Sequence, residues 1–160
     1  MYPLGQIKSW KELKMELKDC ITFANENKTC YLATIENGEP RVRPMGLWFA
    51  DEKGFYFQSH AEKAIGIQLK TNKTVQACFY NPKAGTGLGT VLRITGEIEF
   101  LDDIEYKKRI FEDRPHIVKA YGLEGLEDPR LILFRIYKGE AYFWTMEYNL
   151  READLEKIKF

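Results

Sequence analysis

The chain has 160 residues, 44% of them hydrophobic and 14% aromatic, enough apolar material for a single compact domain over 1–160 and too much for a disordered chain. Its 24 Lys plus Arg balance 24 Asp plus Glu, so no overall field draws it to nucleic acid or to an acidic membrane. No apolar run nears the roughly 20 residues of a membrane-spanning helix, and Met1 to Gly5 lack the basic and apolar blocks of a signal peptide, so a cytoplasmic location is expected.

Ser9-Trp10-Lys11-Glu12 has the pattern of a capping box, and Trp10, Leu13, Leu17, Cys20, Ile21 and Ala24 recur at helical spacing. A helix over about 9–25 is predicted. Residues 30–35 then form an apolar run ending at Asn37-Gly38, a dipeptide that tolerates the positive backbone angles of a tight hairpin. A second strand over 41–49 folds back beside it, and a turn at 51–54 leads into the aromatic strand Phe55-Tyr56-Phe57. Ser59 to Glu62 again fits a capping box, with Ser59 as N-cap, so a helix is expected to open there.

Residues 75–80 read as a strand, and Asn81-Pro82 begins a loop holding Gly85, Gly87 and Gly89. Those glycines lead into the strand 90–100, whereas a dinucleotide-binding fingerprint must open a helix, so the loop reads as a mobile segment near a ligand. Asp102 and Glu105 frame a cap, a short helix ends before Pro115, and a helical turn runs from His116 to Tyr121 and stops at Gly122. Residues 131–137 and 140–144 are expected to form a hairpin through Lys138-Gly139, followed by a terminal helix over about 150–158. Hairpin connections interrupted by helices predict a mainly β fold with helical insertions, a closed antiparallel split β-barrel of six or seven strands spanning about 29–146.

Cys20, Cys30 and Cys78 are odd in number and sit in apolar patterns, which points to reduced thiols rather than a disulfide framework or zinc site. His60 and His116 lack a surrounding ligand pattern, so no metal is expected and haem is disfavoured. Arg43 in the second strand, with Ser59 and Lys63 at the helix start, groups a guanidinium, a hydroxyl and an ammonium where free backbone N–H groups converge. That grouping suits a phosphate. Arg43 equally suits a surface ion pair, as Arg41 does, and Trp48 and Trp144 suit core or interface positions better than a ligand site.

The segment Gly38-Glu39-Pro40-Arg41-Val42-Arg43-Pro44-Met45, the strand Phe55-Tyr56-Phe57-Gln58-Ser59 followed by Lys63, Gln68-Leu69 and Asn72, and the strand 92–98 resemble, in order and spacing, the pyridoxamine 5'-phosphate oxidase-like FMN-binding split-barrel family, including its nitroimidazole-resistance-type flavoproteins. The resemblance runs from about Thr29 to Trp144. It implies FMN as cofactor, its phosphate held by Arg43, Ser59 and Lys63, with backbone from Pro44 and Met45 to Leu47 against the flavin edge and Gln58 or Gln68 addressing the ring. Arg93 is implied on a strand facing the cofactor or a second subunit, and Trp48, Trp144 and His60 are candidates for covering the flavin or lining a substrate pocket. The family places its flavin between two barrels, which implies a homodimer.

No side chain need act as nucleophile, because flavin carries the electron transfer and the protein binds and orients it. The implied function is an FMN-dependent oxidoreductase passing hydride or electrons from a reduced donor to a small, planar acceptor. The alternative is a non-catalytic flavin-binding or redox-sensing protein. Oxidation of pyridoxamine 5'-phosphate itself fits less well, because the chain lacks the family's Arg-Leu-Ala-Pro-type ending and carries Met146 to Leu150 and a charged tail instead.

Overall fold

The computed structural model describes residues 14–85 and 87–160. The chain runs through α1 (Leu17–Glu26), β1 (Thr29–Glu36), β2 (Glu39–Gly46), β3 (Phe49–Asp51), β4 (Gly54–His60), α2 (Ala64–Thr71), β5 (Thr74–Asn81), β6 (Thr90–Phe100), α3 (Ile104–Asp113), α4 (Pro115–Ala120), β7 (Leu131–Trp144) and β8 (Ile158–Lys159). The Ser9-to-Glu12 capping box, Trp10 and Leu13 lie outside the described residues; the α1 that follows them is closed by Glu16 and Asp19, each side chain taking the other residue's backbone N–H. Cys20, Phe23 and Ala24 are its buried side chains.

Asn37 and Gly38 adopt φ of 53° and 80°, joining β1 to β2 in a two-residue hairpin with Glu36 opposite Glu39. The sheet order is β2-β1-β5-β6-β7-β4-β3, with β8 beside β7, and every pairing is antiparallel. This path of seven strands is open, its ends being β2 and β3, and with β8 the sheet holds eight, so the expected closed barrel of six or seven strands is corrected. The reason lies at Leu47 and Trp48, where the predicted strand over 41–49 divides. Leu47 N–H donates to Lys28 O (2.7 Å), extending the β1–β2 pairing, and Trp48 N–H to Tyr56 O (2.8 Å), extending that of β3 with β4, so adjacent residues serve different partners and β2 and β3 remain separate ends.

The expected hairpin at Lys138-Gly139 is also corrected. Residues 131–144 form one strand of 14 residues, paired with β6 over most of its length and, on its other edge, with β4 at 131–136 and β8 at 140–141. Opposite Lys138 lies Glu97 and opposite Ile136 lies Ile98, leaving Tyr137 as the extra residue of a β-bulge. Gly96 faces Gly139 beside the bulge. A Cβ on Gly139 would stand 2.2 Å from Thr95 O, and one on Gly96 would stand 2.4 Å from Lys138 O, so the strands approach closely there because neither residue has a side chain.

The predicted terminal helix over 150–158 is replaced by short 3-10 turns at Met146–Tyr148 and Glu152–Asp154 and by β8. Phe160 and Gly139 exchange backbone hydrogen bonds of 3.1 Å in both directions, tying the end of the chain to the bend of β7.

Inside the curved sheet the main core gathers Phe23 from α1, Leu32, Phe55, Phe57, Phe79, Leu92, Ile94, Phe134 and Ile136. Each such side chain contributes about 1.5–3 kcal/mol on burial. A second, smaller core of Trp48, Tyr56, Ile110 and Leu133 lies where α3 covers β4 and β7. Burial pushes the Cys20 and Cys30 thiols up to about 12, consistent with unreactive, reduced cysteines. Among the described residues no helix is long and apolar enough to cross a membrane, and no cluster of three metal-ligating side chains forms.

Gly139→Ala is expected to lower stability by roughly 1–3 kcal/mol, because the new methyl meets backbone that cannot move aside. Urea titration against the native chain measures this, and an unchanged midpoint would remove the close glycine approach as a constraint on β7.

Candidate functional site

The alternation of β1 turns Cys30, Leu32 and Thr34 inward, which buries the Thr34 hydroxyl beneath α2. From the neighbouring strand Arg43, opposite Leu32, reaches the same point. Its Nη1 donates to Thr34 Oγ1 (2.8 Å) and Leu32 O (3.4 Å), and its Nη2 to Gln68 Oε1 (2.7 Å). Thr34 Oγ1 donates to the same Gln68 oxygen (2.6 Å), and Gln68 Nε2 donates to Glu36 Oε1 (3.2 Å). Glu36 also accepts from Arg41 Nε at 3.0 Å. The hydrogen bond from Gln68, then that from Arg41, holds the Glu36 carboxyl below its usual range, while burial lowers the Arg43 guanidinium and Glu36 opposes that shift.

At the entry to α2 the sequence expectation needs correction. Ser59 is not an N-cap; it lies in β4 opposite Ile132, buried, and His60 lies opposite Leu131. The β4–β7 ladder carries the strand through both residues, and the helix starts only at Ala64, with Lys63 as the N-cap. The intervening donors are already taken: Ala61 N–H by Arg130 O (2.8 Å), Glu62 N–H by His60 Nδ1 (3.3 Å) and Lys63 N–H by His60 O (3.1 Å). No side chain caps α2, so the N–H groups of Ala64 and Ile65 have no acceptor within the helix. Lys63 Nζ lies 4.7 Å above the Tyr121 ring and 3.3 Å from its hydroxyl, and the His60 ring meets Tyr121 edge-on at 5.4 Å.

The side chain of Gln58 faces α3 and α4. Arg114 stands between these helices, immediately before Pro115, in a non-helical conformation with φ −137° and ψ 55°. A residue before proline is pushed out of the helical region, and this break directs Arg114 back onto the sheet. Its Nη1 donates to Gln58 Oε1 (2.9 Å) and its Nη2 to Leu47 O (2.5 Å), with burial lowering the guanidinium. The adjacent Asp113 accepts from Trp48 Nε1 at 2.9 Å, which seats Trp48 in the smaller core at 3% exposure.

The remaining candidates stand apart. Pro44 is exposed and Met45 packs on the main core. Arg93 Nη1 donates to Tyr142 OH (3.2 Å) and to Glu152 (2.5 Å), and the Tyr142 bond raises its guanidinium. Along the sheet Pro44 lies opposite Tyr31, Tyr31 opposite Cys78 and Cys78 opposite Arg93. Those three strand spacings put Arg93 about 14 Å from Pro44 within one chain. Trp144 ends β7 opposite Val91.

Thus Arg43 and Gln68 are brought together, Ser59, His60 and Lys63 lead into the same helix, and Gln58 joins Leu47 through Arg114. Sequence reasoning missed Thr34, Tyr121 and Arg114. Strand alternation marks Thr34 as inward, and the Arg-Pro step marks Arg114 as a junction, but no local signal says what either side chain meets.

The chain matches the pyridoxamine 5'-phosphate oxidase family across residues 15–144. A pyridoxine/pyridoxamine 5'-phosphate oxidase of Agrobacterium fabrum is 33% identical over 82 residues, which cover 51% of this chain and 38% of that protein. The match therefore spans well under half the length of that curated relative. A NimC/NimA family protein of Clostridium acetobutylicum has TM-score 0.70 and 28% identity, with 89% of this chain and 92% of that one covered. An FAD-binding protein of Mesorhizobium loti shares the fold at TM-score 0.62 and 19% identity, covering 81% and 94%.

Gln68→Leu keeps the shape of the α2 contact and removes its polar groups, leaving Thr34 and Arg43 without their shared acceptor. A loss of roughly 1–3 kcal/mol is expected in chemical denaturation. A variant as stable as the native chain would show that the network adds nothing to the fold.

Proposed function

The chain belongs to the pyridoxamine 5'-phosphate oxidase family, and from that premise we propose that it binds FMN and serves as an oxidoreductase for a small, planar acceptor. The observation that carries this reading is the convergence on α2. Lys63 is its N-cap, Ser59 and His60 end the strand leading into it, and Arg43 is bonded to Gln68 of the same helix. The donor set fits a phosphate monoester: an ammonium, a hydroxyl, a guanidinium and the unclaimed amides of an uncapped helix start. The FAD-binding description of a protein with the same fold is consistent with a flavin here.

FMN, when bound, supplies hydride and electron transfer. The chain's own residues bind and orient it. Lys63 moves from the Tyr121 ring toward the phosphate as a point charge, and Arg43 offers a planar fork already aligned by Thr34 and Gln68. The backbone at Pro44 to Leu47 borders the ring, with Gln58 addressing its edge. The acceptor is left as a chemical class, a nitroaromatic, quinone or similar planar molecule.

Val42, Tyr31 and Tyr80 are 64%, 53% and 44% exposed on one face of the sheet beside Pro44. A homodimer formed through that face would cover these apolar groups and bring a second subunit's Arg93 toward the ring, across the separation seen within one chain. Tyr31→Lys places a charge in that face, and sedimentation should then detect monomer at concentrations where the native chain is dimeric. A native chain that sediments as a monomer would exclude the dimer.

FMN and riboflavin differ by the phosphate, so their affinities isolate the anion site. Titration by quenching of flavin fluorescence should show that the native chain prefers FMN and that Lys63→Ala loses ~1.5–3 kcal/mol of FMN affinity, with riboflavin affinity unaffected. Equal affinity of the native chain for both flavins would refute the phosphate assignment.

A further inference from the structure

Arginine only donates hydrogen bonds, so the Gln58 atom that faces Arg114 must be the amide oxygen. Oε1 of Gln58 is thereby claimed, and what the side chain retains for a ligand is its NH2 group. The same guanidinium holds Leu47 O, at the end of the segment running from Pro44 to Leu47. Gly46 lies between these features, and a Cβ built there would meet only Arg114 Nη1, at 4.0 Å. One desolvated guanidinium therefore clamps both the strand end and the amide beside an open glycine backbone.

We propose that Arg114, on the junction between α3 and α4, is a positioning residue that turns the Gln58 amide so that its NH2 donates to an acceptor on the edge of the bound ring. This rests on the flavin reading above and deepens it by assigning the polarity of the contact. Without Arg114 the Gln58 amide is free to rotate by half a turn and present its oxygen, which repels a ring carbonyl or unprotonated ring nitrogen. Gln68 contrasts with it. Arg43 and Thr34 occupy the Gln68 oxygen and Glu36 occupies its NH2, so that side chain is committed to the protein at both ends. Gln58 is accordingly the glutamine with a group to offer.

The test is a double-mutant cycle read by FMN affinity, with Arg114→Lys retaining charge while being unable to span both acceptors. Gln58→Leu and Arg114→Lys should each weaken FMN binding by roughly tenfold, the loss of one hydrogen bond, and the double variant should be no weaker than Gln58→Leu alone. Additive losses would overturn the proposal, since Arg114 would then act independently of Gln58. A second measurement uses the native chain alone: FMN should shift the NMR signals of the Gln58 side-chain NH2 pair, and in Arg114→Lys without flavin that pair should lose its protection from exchange. An unmoved pair on saturation with FMN also overturns it. Failure of the native chain to bind FMN refutes the flavin reading, whereas binding with an additive cycle refutes only the role of Arg114.

Discussion

Strand β7 is the structural hinge on which the molecule depends, because it bonds β6 along one edge and both β4 and β8 along the other. A straight strand of 14 residues could not follow the curvature of the sheet across all of these partners. Curvature comes from the extra residue Tyr137 and from the side-by-side Gly96 and Gly139, where backbone occupies the space that a Cβ would need. The bend places β4 beside the first half of β7, so the position of Gln58, Ser59 and His60 is inherited from it.

The helical insertion between β6 and β7 serves the same face of β4. Asp103 caps α3 by accepting Glu105 N–H at 2.8 Å, one residue from the expected cap at Asp102, which instead pairs with Lys107. Pro115 then separates α3 from α4. Two consecutive residues at this break, Asp113 and Arg114, reach back to Trp48 and to Gln58 with Leu47. A short interruption of helix thus fixes the link between β2 and β3, the same link that leaves the sheet open.

The polar groups beneath α2 show how a charge is held near an apolar core. Arg43 is partly desolvated, and an isolated guanidinium there would be costly. Thr34 and Gln68 accept its hydrogen bonds, and Glu36, bonded to the Gln68 amide, supplies the compensating charge four residue pairs further along the β1–β2 ladder. In such surroundings hydrogen bonds are stronger and unpaired groups dearer, so the network gives Arg43 one orientation. Lys63 is the exposed counterpart, resting on the Tyr121 ring at the helix start.

Much of the local structure was legible along the chain. Asn37-Gly38 specified its hairpin through backbone angles, the extent of β6 over 90–100 was read correctly, and Pro115 with Gly122 bounded α4. Each of these depends on near neighbours and on the allowed φ of a few residues. The Ser59 cap, the hairpin at Gly139 and the terminal helix were misread because each competed with a partner distant in sequence: Ile132 for Ser59, β6 for both halves of β7, and Ala141 for Ile158. Strand pairing satisfies backbone donors and acceptors that a local cap or turn satisfies only in part. Arg43 and Lys63 were likewise visible as residue types at a spacing. That Arg43 binds Thr34 and Gln68, and that Arg114 clamps Gln58 from 56 residues away, was decided only when the sheet curved and brought those side chains within hydrogen-bonding distance.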